Sequence, residues 1–231
     1  MRQEPDPAND SLIPSQPIPA GADAFSKRVH GLLDGQPKDD ATVAEAFEGL
    51  DEMFEIIAAG LYSLASMLVG EGEESVRLVE TTVATAEVSM CHDPALARKN
   101  SRLALSTAAL DILEQRSPGC LALPEGLEPV VTCIEDDDLS AAGVSSEELE
   151  SMLSGPDRES VRNWLASLPT ELRVIFTLRA VAGFTAAETA AMLAEHGGPR
   201  AAGWTADAVR ETFRQGLCSL ASQLIHSTSA R

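Results

Sequence analysis

Arg210 and Arg214 are the residues of this sequence whose type and spacing suit a definite chemistry. They stand four positions apart, so any helix containing both carries them on one face. A guanidinium is permanently charged, and its planar fork of donors fits a phosphate or a guanine edge. Thr205, just upstream, has a hydroxyl that can cap a helix N-terminus, and Trp204 and Val209 flank it where apolar side chains pack as a staple. Together they describe a helix whose N-terminal half offers cations to a polyanion. Trp204, Thr205, Arg210 and Arg214 are therefore the candidate DNA-contacting set, with Trp204 and Thr205 positioning the helix.

No other cluster suggests chemistry. Cys91, Cys120, Cys133 and Cys218 are widely spaced, with no Cys-x-x-Cys pair and no histidine ligand set beside them, so no metal and no cofactor are expected and the thiols are expected to be reduced. Glu73-Glu74 and Asp136–Asp138 read as charge runs on a solvated surface. Without a nucleophile–base signature or a Gly-rich phosphate loop, the chain is not expected to be an enzyme or to take a small-molecule substrate.

The elements that must position these residues are helices. Alanine and leucine dominate, both favour helix, and aromatics make up only 4% of the chain, so an aliphatic core is expected. Residues 1–41, rich in Pro, Asp, Gln and Gly, are expected to be disordered. Thr42 and Glu45 have capping-box spacing and open a helical stretch through Phe47, Leu50, Phe54 and Ile57; Leu61–Val69 follows. Val76, Val79 and Val83 share one face of a helix near Ser75–Val88, and Pro94 suits the start of another that runs to about Ser117. In the last part, Val161, Leu165 and Leu168 mark a helix stopped by Pro169. Thr170–Ala182 is a second, ended by Gly183, and Thr185 with Glu188 forms a capping box on a third. A turn, His196–Gly203, leads to the helix that begins after Thr205.

The net charge of −19 is uneven: residues 118–158 hold ten acids against one base, whereas residues 159–231 hold six acids and seven bases. Only the last stretch can approach DNA without strong repulsion. An acidic segment folded back over the arginine face would mask it. The N-terminus shows no basic-then-apolar signal and no apolar run reaches the length of a membrane span, so a cytoplasmic protein without membrane contact is expected. The expected organisation is all-α: a helical domain at 42–117, an acidic flexible linker at 118–156, and a helix-turn-helix domain at 157–231.

Leu168-Pro-Thr-Glu-Leu-Arg-Val-Ile-Phe-Thr-Leu-Arg179, followed by Gly183-Phe-Thr-Ala-Ala-Glu-Thr-Ala-Ala-Met-Leu193, resembles the C-terminal promoter-reading region of extracytoplasmic-function RNA polymerase sigma factors. Leu61–Gly70 and Glu73–Val83 resemble the same family's polymerase-binding helices, and Ala97–Arg116 its −10-element helix. The resemblance implies core RNA polymerase and promoter DNA as partners, with Val76, Val79, Glu80 and Val83 facing the polymerase. The turn before the last helix is longer than the family's and is similar to the extended helix-turn-helix of large serine recombinases. The family's aromatic and basic residues for opening DNA are replaced, with Glu114-Gln115-Arg116 where a basic run is usual. That departure leaves an alternative open: a sigma-like interaction module that binds an anti-sigma factor, or polymerase without opening promoters.

Overall fold

The computed structural model describes residues 58, 60–85, 94–124, 133–155 and 158–229. All belong to one compact unit, Ala41–Arg231. The tract expected to be disordered at 1–41 and the capping box at Thr42 lie outside the described residues.

Every regular element among the described residues is a helix. Helix α1 covers 60–69, α2 Glu73–Thr85 and α3 Pro94–Arg116. A short 3-10 helix at Leu139–Ala142 precedes α4, Ser146–Ser154, and α5, Arg158–Ser167. Helix α6, Thr170–Phe176, widens into a π-turn at Thr177–Val181. Then come α7, Ala186–His196, a 3-10 turn at Pro199–Ala201, and α8, Ala206–Ser229. None of these helices is long and apolar enough to cross a membrane.

Local chemistry accounts for the boundaries. At α7 the Glu188 amide donates to Thr185 Oγ1 at 3.2 Å and the Thr185 amide donates to Glu188 Oε2 at 2.8 Å, the expected capping box. Ser145 and Glu148 do the same at α4. The π-turn ends at Gly183, whose φ of +78° suits a residue without Cβ, and the Phe184 amide donates to the Leu178 carbonyl. The Thr185 amide, the Lys99 ammonium and the Thr185 hydroxyl together hold the Glu188 carboxyl down at about 2. Its folded pKa lies below the ordinary value, so its stabilisation is complete above pH 4.5 and is lost as pH falls towards 2. The side chain is 40% exposed, and solvent screening limits the effect to about 1 kcal/mol. Urea midpoints recorded between pH 5 and pH 2 will therefore fall less steeply in Glu188→Gln than in the wild type; parallel curves would show that Glu188 contributes nothing to acid sensitivity.

The core has two characters. Leu61, Leu64, Leu68, Leu78, Leu105 and Leu110 form an aliphatic part on α1–α3. The other part is also mainly aliphatic, with Leu165, Ile175, Leu178, Leu193 and Leu217 buried, and adds a ring cluster: Trp164 meets Phe176 edge-on at 5.1 Å between ring centroids, and Phe176 meets Phe213 at 5.6 Å. These three rings gather where α5, α6 and α8 meet.

Two further expectations are revised. The segment expected as a flexible linker is structured where described: Leu139, Val144, Leu149 and Leu153 are buried, and their helical spacing is obscured in the sequence by the acids around them. The stretches expected as separate domains also pack on each other. Helix α3 lies along α7 in the same direction, with Lys99 Nζ 3.0 Å from Glu188 Oε1 at one end and Asp111 Oδ1 3.1 Å from His196 Nδ1 at the other.

Candidate nucleic-acid interface

Helices α7 and α8 pack against each other, and α8 also crosses α6. The crossing is close because residue 216 is glycine: a Cβ there would lie 2.9 Å from Phe176 Cδ2. Thr205 caps α8, accepting the Ala208 amide at 3.2 Å. Trp204 and Val209 are both buried, as a staple requires. The Trp204 indole turns inward and donates to the Leu121 carbonyl at 2.8 Å. Trp204 therefore positions α8 and cannot itself touch DNA. Its partner was not legible because 83 residues separate the two in sequence.

Arg210 and Arg214 do share a face, and neither guanidinium is alone on it. Arg210 pairs with Asp207, one turn earlier, and its Nε lies 3.7 Å from Asp137 Oδ2. Arg214 pairs with Glu211 and donates to the Glu135 carbonyl at 2.9 Å. A third arginine joins them from the π-turn. Arg179 sits 5.0 Å from the Phe213 ring centroid and donates to Asp137 Oδ2 at 2.9 Å and to the Asp137 carbonyl at 3.0 Å. In the sequence Arg179 stands out only as part of a motif; the Phe184 carbonyl, which accepts from it at 3.1 Å, fixes it to its own turn.

The acidic stretch that covers this face is fastened at both ends. On one side Leu139 is buried and the Leu139–Ala142 turn packs on α8. On the other, Cys133 and Cys218 are joined in a disulfide with their Cα atoms 5.8 Å apart. This corrects the expectation of reduced thiols: the two cysteines are 85 positions apart, and the fold rather than a spacing motif brings them together. Cys120 is a free thiol whose pKa burial pushes up, with Glu114 adding to the effect. Cys91 lies outside the described residues. Among the described residues no group of three His, Cys, Asp or Glu is placed to hold a metal ion.

The residues expected to face a polymerase sit differently from one another. Val79 is buried in the packing of α2 against α3 and belongs to the core. Val76, Glu80 and Val83 are half-buried. The buried face of α2 is Ser75, Leu78, Val79 and Thr82, so the valine periodicity met it only at Val79, and spacing alone does not say whether the cover is the same chain or another.

Searches against protein families, curated proteins and solved structures return no match to this chain.

Proposed function

We propose that this chain is a non-catalytic, sigma-factor-like transcription protein that binds core RNA polymerase and promoter DNA, using α7 and α8 as a helix-turn-helix. The observation that carries the reading is the convergence of Arg179, Arg210 and Arg214 on one short acidic segment. In a chain of net charge −19, three guanidinium groups gathered from two helices form a face that already holds an anionic chain. Phosphate backbones are recognised by the same charge-assisted contacts. The order of helices along the chain, with α3 preceding α7 and α8, supports the same reading. The alternative, an interaction module that binds an anti-sigma factor without opening promoters, draws support from α3. Lys99 and Arg102 on that helix are engaged by Glu188 and by the Ala182 carbonyl, and so are not offered to a DNA strand.

The test is co-purification of the tagged chain from its host, scoring core polymerase and crosslinked DNA, beside duplex binding in vitro across a salt series in oxidising and reducing buffer. Arg210→Ala with Arg214→Ala is expected to weaken duplex binding and to lower the log–log salt slope by about 2, roughly one for each arginine that no longer neutralises a phosphate. Equal binding and an equal slope would remove the DNA face from the reading. A small protein partner recovered without polymerase or DNA would favour the alternative.

A further inference from the structure

We infer that residues 133–139 are an autoinhibitory strap over the arginine face, and that thiol–disulfide exchange at Cys133–Cys218 releases it. This inference rests on the proposed DNA-binding reading and adds its regulation.

Three observations combine. The strap occupies the cations that DNA would need: Asp137 alone engages Arg179 and Arg210, while the backbone of Glu135 accepts from Arg214. It carries an uninterrupted acidic run, Glu135-Asp-Asp-Asp138. It is also held in place by a covalent bond at Cys133 and by the burial of Ile134 and Leu139. A tethered competitor acts at an effective concentration in the millimolar range, so even weak carboxylate–guanidinium contacts can exclude an untethered polyanion. Opening the disulfide removes the covalent fastening and leaves only the burial of Ile134 and Leu139. Ile134 can then leave its shallow seat, the strap pivots on Leu139, and its local concentration at the arginines falls.

Cys133 is exposed, so the bond is within reach of a dithiol. A thiolate of the reductant attacks one sulfur of the pair, forming a mixed disulfide and expelling the other cysteine as thiolate, which takes up a proton. The second thiol of the reductant then attacks the mixed disulfide. The products are two protein thiols and one oxidised dithiol, with two electrons and two protons passed to the protein. A disulfide oxidant reverses the exchange.

The experiment uses the full chain and a random-sequence DNA duplex at low salt, with affinity read by fluorescence anisotropy and folding by circular dichroism. The oxidised chain should show two fewer maleimide-reactive thiols than the reduced, denatured chain. Dithiothreitol should tighten duplex binding by about tenfold. Cys133→Ser should bind tightly with or without dithiothreitol. Asp137→Asn, with the cross-link intact, should tighten binding in oxidising buffer. Asp136→Asn, which removes the same charge from a residue outside the arginine contacts, should change little. Asp137→Asn decides the matter even where reduction loosens the fold. Equal affinities for the oxidised wild type and Asp137→Asn, or for Asp136→Asn and Asp137→Asn, overturn the strap while leaving the DNA-binding reading intact. The same holds if the oxidised chain shows no thiol deficit. Failure of every form to bind the duplex overturns the DNA-binding reading itself, and the strap as its regulator with it.

Discussion

Trp204→Ala is expected to cost the folded unit about 3–5 kcal/mol, the usual range for truncating a buried large aromatic. Trp204 is 5% exposed, and the Leu121 carbonyl that its indole satisfies belongs to a fully buried residue. Two losses add in the variant. The ring leaves a cavity, and the carbonyl is left without a donor in an apolar setting. Trp204→Phe separates them: most of the ring remains, and the unpaired carbonyl alone should cost about 1–3 kcal/mol. Urea denaturation reads both as a lower midpoint at unchanged slope. Because the indole points inward, Trp204→Phe should leave duplex affinity per folded molecule unaltered. An affinity loss without a stability loss would mean that the side chain faces DNA after all.

Phe176→Ala should be of similar size, about 3–5 kcal/mol. Phe176 is fully buried, stands between Trp164 and Phe213, and touches the one place where α8 has no side chain, Gly216. The pairing with Gly216 makes a sharper forecast than the single variant. In the wild type, Gly216→Ala pushes a methyl to within 2.9 Å of the ring. Overpacking of that kind costs about 1–3 kcal/mol and outweighs the roughly 1 kcal/mol that alanine gains over glycine inside a helix. In the Phe176→Ala background the ring is gone and only the helix gain remains. Gly216→Ala should then stabilise, by up to about 1 kcal/mol. A double-mutant cycle measures the change of sign; strict additivity would show that residue 216 is not where α6 and α8 meet.

What the sequence disclosed and what it hid divide along sequence distance. The capping box at Thr185–Glu188, the stop at Gly183 and the burial of Trp204 and Val209 depend on neighbours within a few residues, and the local pattern carried them. The face shared by Arg210 and Arg214 was equally legible, since helical period fixes it. The occupant of that face was not. Asp136–Asp138 reads identically as a solvated run and as a strap, because charge says nothing of what lies opposite. The same limit applies to Val79, whose burial follows from its spacing but whose cover was assigned to another protein. Trp204 with Leu121 and Cys133 with Cys218 are each more than eighty positions apart, and neither pairing leaves a periodic trace. The ring cluster was missed for a different reason: a low overall aromatic content conceals the gathering of three rings in one place.

The long turn between α7 and α8 looked like an insertion in the helix-turn-helix. Its residues reach back instead: the Arg200 carbonyl accepts from the Leu123 amide at 3.4 Å, and Trp204 seats on Leu121 at the turn's far end. Together with Lys99–Glu188 and Asp111–His196, these contacts weld the early helices to the late ones at three separated points. The expected thermodynamic consequence is a single cooperative transition of the described helices. Because α3 packs on α7, melting of α1–α3 should loosen the arginine face as well, and the described helices are expected to behave as one foldon.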